Sequence, residues 1–532
     1  MLPDFIVAFA IISVVLLVTA LASGIVERSP ISFPLMFLGF GFLIGNRGFS
    51  IIDIELTDPV IEIVATLTLS LVLFLDATKL QLTELGRRWV IPVLVLGPGT
   101  TLIIIIGSIP LMLFMDFGWL LALAGGAMLA STDPVVLREI VRDHRIPRSV
   151  RQILRIEAGM NDIVVLPVIL ILITIALGDT NGPVAWIIFI IKLMILGPGI
   201  GVLIGSVGSW LMAKMDENIG VRREYQALYG IGIVLASYSM ATVAGGDGFL
   251  AAFASGLAVV FLNQTLCDSF LEYGEVTSEI AMMSAFVLFG VVLSNVIESV
   301  EMLPVIATAC LIIFVLRPSV IAIVLSRARI SWEARSFISW FGPRGLNSLL
   351  LALLVVQANI PQSEYLFAVV GIVILVSVIV HGASASPISR WYGRRASLET
   401  LEEDLESTAA GLFGHNEIDV RVIKPKELHQ MMQEIPPPLI LDVRTRSSYE
   451  REGYQIPKSV RVLPDQVFEW IQDLPVHRLI ATYCTCRNEA TSARAAQLLR
   501  SKGIDAVVLD GGLNAWKDEY PVEALQKMNS KE

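Results

Sequence analysis

Long apolar segments separated by short polar loops fill the chain from its start to about Val380. A helix needs about 20 mainly apolar residues to cross a bilayer. By that rule about thirteen segments are candidate membrane spans. They lie near residues 4–26, 30–46, 59–79, 90–114, 117–137, 151–177, 184–212, 225–243, 248–265, 280–297, 302–326, 336–356 and 362–381. The pattern therefore predicts an all-α polytopic membrane bundle over this part of the chain.

After Val380 charged residues become frequent, and short β-like runs alternate with helix-like stretches. The runs lie near residues 439–444, 479–484 and 506–509. This alternation is typical of a small α/β domain with a parallel sheet. We therefore expect a membrane domain at 1–395, an acidic connector at 396–417 and a soluble domain at 418–525. Leucines three and four residues apart predict a short amphipathic helix in the connector.

The composition agrees with a membrane protein and excludes other classes. Of 532 residues 55% are hydrophobic and 17% charged, and the mean hydropathy is +0.71. Soluble proteins carry about 25% charged residues, so a wholly soluble enzyme and a disordered chain are both excluded. A net charge of −10 argues against a nucleic-acid partner, which would need a basic surface. The four cysteines imply no disulfide framework.

Lysine and arginine fall almost wholly in alternate loops, which predicts the orientation. The positive-inside rule places the N-terminus outside and the C-terminal domain in the cytoplasm, and an odd number of spans gives the same result. The first apolar stretch begins with Asp4 rather than a basic residue, and many spans follow it. We therefore expect this stretch to be a retained span and not a cleaved signal peptide.

Ionisable residues inside the predicted spans are candidate functional residues, because each costs about 2.5–3.5 kcal/mol on insertion. They are Asp76, Asp133, Glu157, Asp162, Lys192, Arg317 and Arg344. The acids lie in the first half and the arginines in the second, which favours pairing across the bundle and leaves a carboxylate that could exchange cations. A channel would need neither paired charges nor broken helices.

Two apolar segments are interrupted, at residues 130–135 and at residues 341–346. In the first, Pro134 removes a backbone donor and leaves carbonyl groups near Thr132 free to face a cavity. The second contains the run Gly342-Pro343-Arg344-Gly345. Two broken helices at corresponding positions of two halves indicate a transport site at an inverted-repeat interface. The plainer alternative is a pair of kinks that ease packing.

These motifs carry a family resemblance. Thr132-Asp133-Pro134, the run 157–162, the run 247–256, Arg317-Pro318 and the run 342–345 together resemble the sodium/proton exchanger side of the monovalent cation–proton antiporter superfamily. The resemblance covers essentially the whole membrane domain. It implies electroneutral exchange of Na⁺ or K⁺ for protons by alternating access. It also implies a homodimer in the lipid of the cell (inner) membrane, a task in pH homeostasis, no cofactor, and no metal beyond the transported cation.

The same resemblance implies residue roles. Asp162 would bind either a cation or a proton, with Asp76 approaching it and Thr132 lending a carbonyl or hydroxyl oxygen. Asn161 stands where electrogenic relatives have a second aspartate, hence the expected one-for-one exchange. The family often has a serine four residues before the key aspartate, and here that residue is Ala158. A hydroxyl ligand is therefore missing, water or Asp76 could replace it, and selectivity among sodium, potassium and lithium stays open.

Further charged residues would hold the bundle together. Asp133 would neutralise the helix ends where the two broken segments cross. Glu157 with Arg317, and Arg344 nearby, would form the core ion pairs. His381 stands at the end of the last predicted span, and we expect a loop-end residue there rather than a pH sensor.

In the soluble domain, a cysteine follows a β-like run and precedes a helix-like stretch, which favours thiolate character. The runs 441–444, 453–457 and 511–516, with the strand that ends at Cys484, resemble the rhodanese family. That family carries sulfur as a cysteine persulfide. Position after the strand favours Cys484 as acceptor, whereas spacing to the following helix favours Cys486.

Neither cysteine is followed by an arginine where sulfurtransferases and phosphatases have one. A slow sulfurtransferase, a persulfide or redox sensor and an inert appendage therefore stay open for this domain. For the whole chain, the alternative to an antiporter is a membrane-anchored sulfurtransferase whose membrane domain no longer transports.

Overall fold

A computed structural model describes most of the chain. The described residues are 13, 17, 21, 33–80, 90–134, 137, 140–141, 143, 145–178, 182–328, 330–398, 421–434, 436–444, 448–449, 452–463, 467, 470, 479–485, 490–501 and 503–525. Most of the first predicted span, most of the acidic connector and Cys486 lie outside these residues. The chain forms two compact units, one of residues 1–139, 153–327 and 338–386, the other of residues 140–152, 328–337 and 387–532.

Helices account for nearly all of the described structure before residue 399. The first are α1 Phe33–Ile44, α2 Pro59–Thr78, α3 Val90–Leu94, α4 Thr100–Met115, α5 Trp119–Ala130, α6 Arg148–Leu177, α7 Pro183–Ile191, α8 Gly197–Ile219 and α9 Arg223–Val243. The others are α10 Gly248–Leu262, α11 Gln264–Ser269, α12 Glu275–Val296, α13 Met302–Cys310, α14 Arg317–Val324, α15 Trp332–Trp340, α16 Leu346–Gln357 and α17 Ser363–Leu398. Short 3₁₀ turns follow α12 and α14, at Ile297–Ser299 and Leu325–Arg327.

Four pairs of these helices are joined without a loop by a π-helical turn. The turns are Val95–Gly99 between α3 and α4, Lys192–Leu196 between α7 and α8, Phe270–Gly274 between α11 and α12, and Leu311–Leu316 between α13 and α14. Each pair therefore continues as one helix with a local widening, a feature that is frequent at functional sites.

In the described part of the chain, eight helices are long and apolar enough to cross a membrane. They are Pro59–Thr78, Ile91–Met115, Ser149–Leu177, Pro183–Ile219, Arg223–Val243, Glu275–Val296, Met302–Val324 and Ser363–Arg395. Shorter apolar helices are α1, α5, α10 and α16. The helical membrane bundle is thus as expected, while the count of thirteen spans stays a prediction.

Close backbone contacts pack the bundle. Gly41 in α1 faces Val287 in α12, and a Cβ atom on Gly41 would overlap the Val287 carbonyl group. Gly290 in α12 faces Leu38 in α1 in the same way. Because small residues let two helices approach closely in lipid, glycine at these two positions holds α1 against α12.

The expectation that His381 ends a loop is wrong. The helix α17 continues past it to Leu398, and His381 is 2% exposed. Beyond it Ala385, Ser389 and Tyr392 are also buried. Their spacing of three to four residues keeps one helix face covered after the continuous apolar run has ended, so the helix does not stop where the hydropathy falls.

The C-terminal part of the chain forms the expected small α/β domain. Its strands are β1 Val422–Ile423, β2 Leu439–Asp442, β3 Tyr454–Gln455, β4 Val460–Arg461, β5 Ile480–Tyr483, β6 Ala506–Leu509 and β7 Glu523–Ala524. Parallel pairing orders five of them β1-β6-β5-β2-β4, and β3 pairs antiparallel with β7. The helices are α18 Pro425–Met431, α19 Ala490–Ser501 and α20 Gly512–Glu519. Apolar clusters hold α19 on one side of the sheet strands and α18 with α20 on the other.

Candidate functional site

The chain leaves the helix at both interruptions that the sequence indicated, and the two breaks touch. The helix α5 ends at Ala130, and Asp133 follows in non-helical backbone. The Asp133 N–H donates to the carbonyl oxygen of Pro343 at 2.9 Å. Asp133 Oδ2 accepts from the Leu346 N–H at 2.9 Å. Asp133 therefore caps the N-terminus of α16, where backbone N–H groups otherwise lack partners.

Asp162 lies in the middle of α6, 2% exposed, and both its oxygens are bound by neutral groups. Ser131 Oγ donates to Oδ1 at 2.6 Å, and Asn347 Nδ2 lies 2.5 Å from Oδ2. Ser131 lies in the first break, and Asn347 follows the second. Among the residues that the structure describes, no basic side chain forms an ion pair with Asp162.

Asn161, the residue before Asp162, faces the first break. Its Nδ2 donates to the carbonyl oxygen of Ala130 at 2.7 Å and lies 3.4 Å from Thr132 Oγ1. Its Oδ1 accepts from Thr100 Oγ1 at 3.3 Å. Thr132 is 1% exposed, so this polar cluster is enclosed.

Asp76 is buried near the end of α2, within electrostatic range of Asp162 and Asp133. The α2 and α6 backbones meet here, since a Cβ atom on Gly159 would lie 3.9 Å from Asp76 Cβ. The neighbouring Lys79 binds elsewhere, with Nζ 2.7 Å from Glu275 Oε1. Asp76 thus adds a second carboxylate beside Asp162.

Glu157 and Arg317 form an ion pair in the core, with Arg317 Nη2 2.6 Å from Glu157 Oε1. The same guanidinium donates to carbonyl oxygens at the end of α15. Nη1 lies 3.1 Å from Ile338 O and 2.5 Å from Ser339 O, and Nη2 lies 2.8 Å from Phe341 O. Arg317 therefore satisfies carbonyl groups that the broken helix leaves without backbone partners.

Arg344 lies in the second break and is 1% exposed. Its Nη1 donates to the Gly342 carbonyl, and its backbone N–H donates to Ser377 Oγ at 2.9 Å. His381 closes the arrangement, with Nδ1 3.1 Å from Ser377 Oγ and Nε2 3.2 Å from the Trp340 carbonyl oxygen. These contacts fix the non-helical stretch between α15 and α16.

The sheet of the C-terminal domain carries a buried polar cluster. Arg444 Nε lies 2.9 Å and 3.0 Å from the two carboxylate oxygens of Asp442, and Arg444 Nη2 lies 2.5 Å from Oδ2. The Tyr483 hydroxyl donates to Asp442 Oδ2 at 2.8 Å. Burial raises the pKa of Tyr483 well above its usual value, so this hydroxyl keeps its proton and remains a donor.

Cys484 follows β5 and is 2% exposed, within the apolar cluster beneath α19. Its Sγ lies 3.5 Å from Ser492 Oγ. The Leu513 N–H donates to the Cys484 carbonyl oxygen at 3.1 Å. Gly512, at φ +53°, packs so closely on that carbonyl that a Cβ atom would overlap it. Cys486, the other candidate acceptor, lies outside the described residues.

Comparison with known proteins decides the family. The model of the sodium/hydrogen exchanger transmembrane family matches residues 12–391. The chain belongs to this family. The model of the rhodanese-like domain matches residues 424–519. This exchanger-family chain is therefore a multi-pass membrane protein with a rhodanese-like domain.

Individual relatives agree with this assignment. The chain is 27% identical over 390 residues to a K⁺/H⁺ antiporter, NhaP, of Alkalimonas amylolytica, covering 72% of this chain and 66% of that protein. It therefore spans about two thirds of that relative's length. It is 24% identical over 406 residues to the Na⁺/H⁺ antiporter ApNhaP of Aphanothece halophytica, covering 73% of this chain and 77% of that protein.

A solved structure shares the fold of the membrane domain. The sodium proton antiporter MjNhaP1 of Methanocaldococcus jannaschii at pH 8 superposes with a TM-score of 0.62. The sequence identity is 19%, and the match covers 74% of this chain and 100% of that one. The exchanger-family helical bundle is thus supported by shape as well as by sequence.

Three site residues of this exchanger-family chain were not singled out from the sequence: Ser131, Asn347 and Thr100. Ser131 immediately precedes Thr132-Asp133, and Asn347 lies two residues after Gly345. Ser131 and Asn347 were signalled by a polar side chain in an apolar segment beside a break, whereas Thr100 is a polar residue in an apolar segment that continues without a break. Ser131 also provides Asp162 with the hydroxyl contact that is missing at Ala158.

The enclosed groups offer oxygen atoms from two carboxylates, hydroxyls and carbonyls, which suit hard cations. Among the described residues, no group of three or more histidine, cysteine, aspartate or glutamate side chains is arranged to hold a resident metal ion.

Proposed function

We propose that this chain exchanges a monovalent cation, Na⁺ or K⁺, for protons across the membrane by alternating access. The observation that carries this proposal is the setting of Asp162. It is a buried carboxylate between two broken helices, bound by the Ser131 hydroxyl and the Asn347 amide rather than by a basic side chain in the described part of the chain. A buried carboxylate in such a setting is stabilised either by a proton or by a cation.

A proton and a cation would compete for the Asp162 carboxylate, and this competition couples the proton flux to the cation flux. When Asp162 releases its proton to one side, a cation can bind to the carboxylate with oxygen atoms from Ser131, Thr132 and Asp76. Movement of one bundle against the other then exposes the site to the opposite side. Asp133 and the Glu157–Arg317 pair would keep both breaks in place during this movement.

The substitution Asp162→Asn tests the proposal. We expect purified full-length protein in proteoliposomes to dissipate an imposed pH gradient when Na⁺ or K⁺ is added, and Asp162→Asn to abolish this. Asp116→Asn is the matched control, because Asp116 is exposed after α4 and its left-handed backbone (φ 55°) also suits asparagine.

The outcome separates the alternatives. Cation-dependent proton movement that persists in Asp162→Asn would overturn the assignment of Asp162. If the wild-type protein moves no protons while turning over thiosulfate, the chain is a membrane-anchored sulfurtransferase. Measuring the exchange rate at increasing Na⁺ or K⁺ concentration then gives the cation selectivity. The relatives differ in this respect, since one is named a K⁺/H⁺ antiporter and another a Na⁺/H⁺ antiporter.

We further propose a homodimer in the cell (inner) membrane, with the N-terminus outside and the C-terminal domain in the cytoplasm. The domain boundaries would be those of the charge and hydropathy pattern, 1–395, 396–417 and 418–525. Only 17% of the most apolar 18 residues of the helix Pro183–Ile219 are buried, so this helix offers an apolar surface to a partner subunit or to lipid. Reporter fusions after successive spans test the orientation, and crosslinking in membranes tests the dimer.

The rhodanese-like domain is proposed to link transport to the sulfur or redox state of the cell. The 2% exposure of Cys484 favours a sensor over a sulfurtransferase, because a donor must open the domain to reach the thiol, once for a sensor but in every cycle for an enzyme. Exchange measured with and without a persulfide donor tests this link.

A further inference from the structure

Thr100 is a buried polar residue that the proposed transport cycle leaves without a role. It is 3% exposed and begins α4 immediately after the π-helical turn Val95–Gly99. Thr101, the next residue, is exposed and donates to the carbonyl oxygen of Gly97 at 2.8 Å. A π turn changes which residues of the following helix face a neighbour. Here it is Thr100 that faces α6.

The Thr100 hydroxyl helps to fix the orientation of the Asn161 amide. Thr100 Oγ1 lies 3.3 Å from Asn161 Oδ1 and 3.2 Å from the Val95 carbonyl oxygen. At the other end of the amide, Asn161 Nδ2 donates to the Ala130 carbonyl oxygen at 2.7 Å. The Ala130 carbonyl oxygen only accepts, so it selects the orientation that turns Nδ2 toward it. The Thr100 hydroxyl has one proton, which it shares between the Val95 carbonyl oxygen and Asn161 Oδ1, and its contact with Oδ1 supports the same orientation.

This orientation determines which oxygen atoms are available at the break. Ala130 carries the last carbonyl group of α5, and Asn161 Nδ2 occupies it. Without Thr100, the amide could rotate, release that carbonyl and turn Oδ1 toward the break beside Asp162. The number of oxygen atoms around a cation would then change, and with it the discrimination between ions of different size.

A second π turn is also followed directly by a residue whose side chain contacts α6. The turn Leu311–Leu316 is followed directly by Arg317, which binds Glu157, one helical turn before Asn161. The two widened helices also meet, since a Cβ atom on Gly99 would lie 3.2 Å from Ile321 Cδ1. Because Arg317 forms a core ion pair, the recurrence favours a specific role for Thr100 over incidental packing.

We propose that Thr100 is a positioning residue of the cation site, which holds the Asn161 amide against Ala130 and so sets the oxygen ligands offered to the cation. This role presupposes the cation–proton exchange proposed above.

The test compares Thr100→Val with the matched control Thr101→Val in the full-length protein. In proteoliposomes, Thr100→Val should raise the cation concentration for half-maximal exchange about two- to tenfold, the loss expected for one hydrogen bond. It should also change the ratio of the Na⁺ and K⁺ values, with a smaller effect on the maximal rate. Thr100→Ser and Thr101→Val should resemble the wild type. If the valine variant does not fold, Thr100→Ala replaces it.

A double-mutant cycle shows whether Thr100 acts through Asn161. In an Asn161→Ala background, Thr100→Val should have no further effect on the half-maximal concentration. Equal behaviour of Thr100→Val and Thr101→Val, additive effects in the double mutant, or a loss of maximal rate alone would each overturn the proposal.

Thermal stabilisation by added Na⁺ or K⁺ in detergent gives a readout that does not require exchange. If the wild type is stabilised by a cation but exchanges none, the proposed function fails, and the half-saturating concentrations of the Thr100 variants still decide the role of Thr100. If Thr100→Val leaves those concentrations unchanged in a protein that does exchange, the Thr100 proposal fails alone. Absence of both binding and exchange overturns both.

Discussion

At the scale of single residues, the charge of the site is set by Asn161 as much as by Asp162. An amide at position 161 donates to the Ala130 carbonyl oxygen at 2.7 Å, a contact that an ionised carboxylate could not make. The site therefore offers one titratable group on this part of α6. Exchange of one proton for one monovalent cation at that group moves no net charge.

We predict that wild-type exchange is electroneutral. An imposed membrane potential should change the initial exchange rate by less than about twofold, whereas a cycle that moves one charge gains about 2.3 kcal/mol per 100 mV. Asn161→Asp adds a carboxylate next to Asp162 on α6 and should make the rate depend on the potential. The measurement is proton flux in proteoliposomes at potentials clamped with an ionophore. A wild-type rate that follows the potential would contradict the exchange of one proton for one cation at Asp162 alone.

The sequence indicated part of this site and missed part of it. Thr132 and Asp133 were found because Pro134 interrupts an apolar segment beside them. The contact of Asn347 with Asp162 joins residues 185 positions apart, and that of Thr100 with Asn161 joins residues 61 positions apart. Such contacts depend on how helices cross, which local hydropathy does not specify.

At the scale of elements, the crossing of the two breaks depends on space at Gly345. Its φ of −156° lies outside the left-handed region that favours glycine, so the space around it is the relevant constraint. A Cβ atom at this position would overlap the Asp133 carboxylate, which caps α16 through the Leu346 N–H. Gly345 thus lets the carboxylate of one broken helix reach the start of the other.

Gly345→Ala should therefore displace Asp133 and abolish exchange. Overpacking of this kind costs about 1–3 kcal/mol, so the melting temperature in detergent should also fall. Gly39→Ala in α1 is the matched control, because nothing lies within 4 Å of its added Cβ and alanine favours a helix interior. Wild-type exchange by Gly345→Ala would show that the Asp133 cap is dispensable.

Element boundaries were predictable only where hydropathy changes sharply. The break between α15 and α16 coincides with Gly342 and Gly345, which interrupt an apolar run. The end of α17 was not predictable in this way, because its buried residues Ser389 and Tyr392 continue on one face after the apolar run ends. The π turn before Thr100 contains Gly97, Pro98 and Gly99, which indicate an irregularity in the helix but do not specify a π turn.

At the scale of the whole molecule, a membrane exchanger and a rhodanese-like domain share one chain. The change from long apolar segments to short β-like runs was enough to separate the two in the sequence. A coupling between them was not visible in the sequence, where the acidic connector offers only a predicted amphipathic helix. The buried setting of Cys484 suggests how the domain could respond to sulfur. A sulfur atom added to a thiol that is 2% exposed must displace packed neighbours.

We predict that a persulfide donor changes the exchange rate of the full-length protein by at least about fivefold, near the lower end of ordinary couplings between sites. Cys484→Ser, or Cys486→Ser if that residue is the acceptor, should remove the response and leave basal exchange intact. Cys310→Ser is the control, because Cys310 is an exposed thiol in α13. Loss of the response in Cys310→Ser would place the sensitive thiol in the membrane domain. A rate that is the same with and without the donor would make the rhodanese-like domain an appendage without influence on transport.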